Sequence, residues 1–220
     1  MVDFAQARRM MVDSQLRTFD VNDLPLLDAF DSVPRERFVL PGRESGAYID
    51  QDVVVSEGAE RRAMLSPMVL GRMIQALEVR PGLRVLDVAP GLGYSSAILC
   101  ELGATVTALE ADETLAQAAR ERLAALGYTG VAVVAGDLDQ GEARNAPYDA
   151  ILVNGAVEVR PEGLLRQLGE GGRLVCVQGR GRSAKATLMV RAGHGFGERS
   201  IFDAAAPLLP QFQQKPGFVF

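Results

Sequence analysis

"VLDVAPGLGYSSAIL", residues 85–99, decides the fold. It begins as a short apolar strand, breaks at Pro90-Gly91-Leu92-Gly93, and continues as a helical run. Strand, glycine turn and helix make the first half of a βαβ unit. The alternation then repeats. "ATVTALEAD" is a second strand. "DETLAQAARERLAALG" is an amphipathic helix with Asp112 at its cap, Leu115, Ala119, Leu123 and Leu126 on one face, and Gly127 at its end. "VAVVAGD", "YDAILVNGA" and "RLVCVQG" are further strands, with "EGLLRQLGEGG" as a helix before the last of them. Such alternation predicts an α/β fold: a Rossmann-like, doubly wound, mostly parallel sheet covered on both faces. "ATLMVRAGHGFGERSIF" predicts two strands joined by a glycine turn, an antiparallel C-terminal edge.

Upstream, the first fifty residues read as helices. Leu24, Leu27, Phe30 and Val33 recur at helical spacing; Asn22 or Asp23 can cap the start, and Pro34 stops the run. "PGRESGAYIDQD" is polar and turn-rich, hence a loop. In "AMLSPMVL", residues 63–70, Pro67 suits a first helical turn and Ser66 before it suits an N-cap. Met68, Leu70 or Gly71, Ile74 and Leu77 then fall along one side. Residues 1–80 are expected to form an N-terminal helical extension packed on a core domain of residues 81–220.

A chain of 220 residues, 48% hydrophobic and 23% charged, can bury a substantial core in one large domain. The net charge of −5 disfavours nucleic acid as a partner. The short basic clusters (Arg8-Arg9, Arg61-Arg62, and Arg180, Arg182 and Lys185) read as solvated surface. No apolar run reaches the length of a membrane span. The N-terminus carries acids and no signal-peptide stretch, so a cytoplasmic location is expected. Cys100 and Cys176 lie far apart in apolar contexts, as buried thiols would. The single histidine, His194, sits in a glycine-rich turn without neighbouring ligands. A metal site and Ser-His-Asp hydrolysis are both disfavoured.

Ligands of such sheets bind at the carboxyl ends of the central strands. Gly91 and Gly93 allow close approach of a ligand to the backbone. Glu110, ending the second strand, is placed to take a ribose hydroxyl pair. A dinucleotide fingerprint would need a third glycine where Ser96 stands. Asp87, inside the end of the first strand, would repel a pyrophosphate but suits an ammonium or sulfonium ligand. Alternatively, Asp87 ties down backbone N–H groups of the loop.

"LDVAPGLGYSS" resembles the first motif of class I S-adenosylmethionine-dependent methyltransferases, an acid-x-Gly-x-Gly-x-Gly pattern with Ala89 in place of the first glycine. The likeness extends over nearly the whole chain. "RRMMVDSQL", "VPRERFVLP", "AYID", "LSPMVLGRMIQAL", "GLGYSSAIL", "YDAILVNGAV" and "LGEGGRLVCVQG" occur in the order seen in protein-L-isoaspartate O-methyltransferases. The resemblance implies an S-adenosylmethionine site. Asp87, Ala89, Gly91 and Gly93 would surround the methionine part. Glu110, with Ala111, would take the ribose, and Gly136, Asp137 and Leu138 would border the adenine. It also implies a peptide or protein carboxylate as methyl acceptor.

The acceptor segment departs from that pattern. Family members carry Thr-Ile-Ser-Gln-Pro before the helix that starts here at Pro67. Aligned on the proline, Ala63 replaces the threonine, Leu65 the serine that contacts substrate, and Ser66 the glutamine. Arg61 or Arg62 could supply the missing donors to a carboxylate, and a one-residue slip could bring Ser66 into the serine's place. Ser66 and Arg62 are therefore the candidate acceptor contacts. Besides carboxylate methylation, two readings stay open: a small-molecule acceptor at the same cofactor site, and a cofactor-binding protein that has lost methyl transfer. Oligomeric state is not legible in the sequence.

Overall fold

The computed structural model describes residues 2–56 and 62–214. A hairpin of β1 (Val53–Val54) and β2 (Ala63–Met64) stands apart from the main sheet. The main sheet comprises β3 (Arg84–Val88), β4 (Thr105–Glu110), β5 (Val131–Ala135), β6 (Tyr148–Val157), β7 (Leu168–Gln178), β8 (Lys185–Ala192) and β9 (Gly195–Asp203). Its order is β5-β4-β3-β6-β7-β8-β9. The first five of these neighbours run parallel, and β8 and β9 are antiparallel. The α/β fold and its antiparallel edge match the expectation. Gly193 and exposed His194 form the β8–β9 turn.

The helices are α1 (Phe4–Met11), α2 (Leu24–Ser32), α3 (Pro67–Leu77), α4 (Tyr94–Glu101), α5 (Glu113–Ala125) and α6 (Glu162–Leu165). Asp112 caps α5 through Thr114 N–H (2.8 Å) and Leu115 N–H (3.2 Å), as its sequence suggests. Asp23, not Asn22, caps α2 by accepting from Leu26 N–H at 3.2 Å. Leu24 sits in the first turn and is exposed, while Leu26, Leu27, Ala29 and Phe30 are buried.

The two faces of the sheet are covered unequally. One apolar cluster joins Met11, Leu16 and Phe30 to α3, α4, α5 and to Val85, Val106, Leu152 and Val175. The second cluster packs Leu86, Val88, Ile151 and Val153 against Leu138, Leu164, Leu165, Leu209 and Phe212. Among the described residues, the helical elements in that cluster are the four-residue α6 and a 3-10 turn at Pro210–Phe212. The expected helix of "EGLLRQLGEGG" is thus a single turn, and β7 already starts at Leu168. Gly169, Gly171 and Gly172 explain the difference: glycine weakens a helix, and Gly171 has φ +72°. These residues instead bulge between the pairs Tyr148–Leu168 and Ala150–Arg173. Among the described residues, no helix is long and apolar enough to cross a membrane.

Candidate functional site

The chain crosses from one side of β3 to the other between β5 and β6, so the crevice of the sheet opens at the carboxyl ends of β3, β4 and β6. The loop after β3 turns there in the left-handed region. Ala89 has φ +57°, costing about 1–2 kcal/mol for a residue with a Cβ. Its N–H donates to Leu109 C=O at 2.9 Å, which ties the strained residue to β4. Gly93 caps α4 with φ +96°, and a Cβ there would meet Leu123 Cδ1 at 3.1 Å. A Cβ on Gly91 would meet Val55 Cγ2 at 2.8 Å, so the hairpin residue Val55 lies directly over the loop.

Glu110 ends β4 with no exposed surface. Its Oε2 accepts Gly91 N–H at 3.1 Å. Its Oε1 accepts Ala111 N–H at 2.9 Å, Asp112 N–H at 3.4 Å and Arg62 Nε–H at 3.0 Å. Gly136 N–H reaches Glu110 C=O at 3.0 Å, which joins the third strand end to the same point. Sequence-selected Gly91, Glu110, Ala111 and Gly136 therefore meet. Asp137 follows them, exposed, and Leu138 is buried in the second core.

Asp87 is also fully buried, but its partners are side chains. Oδ2 accepts Ser95 Oγ–H (2.7 Å) and Ser96 Oγ–H (2.6 Å), and Oδ1 accepts Asn154 Nδ2–H (2.6 Å). Asn154 donates as well to Val88 C=O at 3.0 Å. The carboxylate thus ties β3 to α4 and β6, not to loop N–H groups. Burial pushes Asp87 up to about 6, against the pull of its three donors and with a further push from Glu110. The folded state then holds this proton to higher pH than the unfolded chain does. The stability linked to it is present at low pH and is lost as pH rises from about 4 to about 6. Asp87→Asn is therefore expected to gain on wild type by about 2 kcal/mol between about pH 4.5 and pH 7.5, read by denaturant unfolding. A difference that does not vary with pH would mean that the buried charge is not costly.

The acceptor segment has its own supports. Arg35, fully buried, donates from Nε to Ala47 C=O (2.7 Å) and from Nη2 to Leu65 C=O (2.8 Å), with its guanidinium 4.8 Å from the Tyr94 ring centroid. Leu65 is buried in the main core, and Ala63 is buried as well. Ser66 precedes α3, but its hydroxyl makes no capping bond, which corrects the expected capping role. Its N–H donates instead to Asp52 Oδ1 at 2.9 Å, so Asp52 holds this turn. Arg62, expected on the solvated surface, is 2% exposed. Arg61 lies outside the described residues.

Several of these partners are missed by sequence reasoning. Asn154 carried a usable signal, a polar residue inside the apolar strand "YDAILVNGA". Arg35 lies in the "VPRERFVLP" element, where only its charge is visible. No local pattern signals Val55 above Gly91. Among the described residues, no group of acids, histidines and cysteines could hold a metal.

The glycine turn, the acid at the next strand end and Gly136 beside it suit a nucleoside-bearing ligand with a positive centre. Comparison with known proteins agrees. The family model for protein-L-isoaspartate(D-aspartate) O-methyltransferase matches residues 7–201. A protein-L-isoaspartate O-methyltransferase of Methylorubrum populi is 44% identical over 175 residues, 80% of each chain. That of Koribacter versatilis is 38% identical over 200 residues, 91% of this chain and 88% of its own. A solved protein-L-isoaspartate O-methyltransferase superposes with TM-score 0.81 at 25% identity, over 91% of this chain and 65% of that one. A Plasmodium falciparum structure, described as a putative member in complex with S-adenosyl-L-homocysteine, shares the fold with TM-score 0.75 at 20% identity. With a family model spanning most of its length and relatives of this identity, the chain belongs to the protein-L-isoaspartate(D-aspartate) O-methyltransferase family.

Proposed function

We propose that the protein transfers a methyl group from S-adenosylmethionine to a carboxylate of an altered aspartyl residue in a peptide or protein. As a member of its family it is an S-adenosylmethionine-dependent methyltransferase. One observation carries the site assignment: Glu110, Gly91, Ala111 and Gly136 are hydrogen-bonded together at the crevice. When bound, S-adenosylmethionine supplies a methyl group activated by the sulfonium charge. Glu110 would hold the ribose, Gly91 and Gly93 would give the backbone room for the methionine part, and Gly136 to Leu138 would border the adenine. Asp87 acts on the positive centre through its field, because its oxygens are bound to Ser95, Ser96 and Asn154.

The chain needs no general base, since a carboxylate is ionised near neutral pH. Its task is to strip water from the acceptor oxygen and hold it in line with the methyl carbon. Residues 1–80, which carry Arg35, Arg62 and Ser66, supply the acceptor side in this reading. We place the reaction in the cytoplasm, where Cys100 and Cys176 would stay unbonded as they are here.

A small-molecule acceptor is the second reading, favoured by the buried, apolar Ala63 and Leu65 where the resemblance implies hydroxyls. Calorimetric titration with S-adenosylmethionine, followed by methyl transfer to an isoaspartyl peptide and its aspartyl twin, separates the readings. Selective transfer to the isoaspartyl peptide is expected. Binding with no transfer to it would remove the altered-aspartyl reading, and no binding would remove both.

A further inference from the structure

The ion pair between Arg62 and Glu110 connects two parts of the site that the proposed reaction must bring together. Arg62 belongs to the hairpin that carries the acceptor segment, and Glu110 ends a strand of the cofactor crevice. Both side chains are almost completely buried, and Arg62 Nε lies 3.0 Å from Glu110 Oε1. The Arg62 backbone is fixed as well: its N–H donates to Ser56 Oγ (2.7 Å) and its C=O accepts Val55 N–H (3.0 Å). Val55 in turn covers Gly91.

The acceptor capacity of Glu110 makes this contact more than structural. A carboxylate offers about four lone-pair sites, two on each oxygen. Oε1 already serves Ala111 N–H, Asp112 N–H and Arg62 Nε–H, and Oε2 serves Gly91 N–H. A vicinal ribose diol brings two hydroxyl donors to such an acid. Glu110 cannot accept both while it keeps every present donor. The Ala111 and Asp112 N–H groups are its own backbone neighbours, and the Gly91 N–H shapes the loop. Arg62, on a long flexible side chain, is the donor that can leave.

We propose that Arg62 is a shared residue: Glu110 holds it before the cofactor is bound, and cofactor loading releases its guanidinium to an acceptor carboxylate. The acceptor half of this proposal rests on the carboxylate reading above. The release half rests only on the cofactor. A guanidinium offers two parallel N–H donors to a carboxylate, which replaces the donors missing at Ala63 and Leu65. Loading then precedes acceptor binding, because the cation for the acceptor is occupied until Glu110 takes the diol.

The release is testable with S-adenosylhomocysteine and no acceptor. In the wild-type protein the Arg62 Nε–H should give a protected resonance in nitrogen-correlated spectra, assigned by its absence in Arg62→Lys. Adding S-adenosylhomocysteine should shift or remove it. By calorimetry, Arg62→Met should bind S-adenosylhomocysteine at least about threefold more tightly than wild type, since no cation competes for Glu110. An unmoved Nε–H signal in the complex, or weaker binding by a folded Arg62→Met, would overturn the proposal. If Arg62→Met does not fold, the wild-type spectrum decides. With a carboxylate acceptor that the wild type methylates in hand, Arg62→Met should raise its KM by about tenfold or more, with Arg62→Lys recovering part of the loss. An unchanged KM would refute the acceptor half alone. Absence of any carboxylate methylation by wild type would refute the proposed function, while the resonance and the calorimetry still decide the release.

Discussion

Glu110→Ala is expected to lower the unfolding free energy by about 3–5 kcal/mol and to abolish cofactor binding. Two losses add. The buried Arg62 guanidinium is deprived of the Glu110 carboxylate, and Gly91 N–H loses its acceptor inside the loop. A buried pair broken on one side is costly because the surviving charge has already left water. Glu110→Gln keeps one carbonyl oxygen for Gly91 or Ala111 and should lose less stability, while still weakening the cofactor. Denaturant unfolding and calorimetry with S-adenosylhomocysteine measure the two effects separately. A stability change under about 1 kcal/mol would show that the Arg62 guanidinium regains water or another partner once Glu110 is gone. Unchanged affinity in Glu110→Ala would remove Glu110 from the ribose position.

Gly163→Ala should destabilise the protein by about 3 kcal/mol and weaken cofactor binding with it. An added Cβ would stand 2.0 Å from Asp139 C=O oxygen and 3.1 Å from its carbon. The backbone has to move, because a carbonyl is not the end of a flexible side chain. Retreat of the loop is resisted by Gln167, whose Nε2–H donates to Gln140 C=O (2.6 Å) and Gly163 C=O (3.2 Å) and whose Oε1 accepts Glu142 N–H (3.0 Å). The displaced segment directly follows Gly136, Asp137 and Leu138, the adenine border of the proposed site. Thermal unfolding and S-adenosylhomocysteine affinity, measured on the same preparation, test both effects. Full affinity in a destabilised Gly163→Ala would separate the 137–140 loop from the adenine.

Both substitutions act on contacts with no local signature. Gly163 reads in sequence as one residue of a helix, and its need to be glycine arises from a loop more than twenty positions earlier in the chain. Its position at the end of the second strand places Glu110 in the site, yet nothing around it announces a cation. Arg62 is 48 residues away, in a pair of arginines that reads as surface. Asp87 shows the same division. Its place before the glycine turn marks it as part of the site, but its partner Asn154 is 67 residues away on β6.

The sequence by itself determined the elements and their kind. Apolar runs of strand length, the 3.6-residue stripe of α5 with Asp112 at its cap, and the glycine turn at 91–93 are local properties, set by side-chain period and backbone sterics. Short glycine turns and single helices between strands then leave few topologies open, so the parallel sheet with its antiparallel edge also followed from the chain. Where local signals conflict, tertiary structure decided. Gly169–Gly172 could close a helix or open a bulged strand, and pairing with β6 selected the strand. The second face of the sheet is covered by α6 and by the segment carrying Leu209 and Phe212, which join Leu164 and Leu165 in one apolar cluster. The same holds for the charges. Whether an arginine meets water or a buried carboxylate depends on which surfaces the fold brings together, and a one-dimensional pattern does not encode that juxtaposition. Arg62 against Glu110 is therefore a property of the folded molecule, and so is the link between cofactor and acceptor proposed from it.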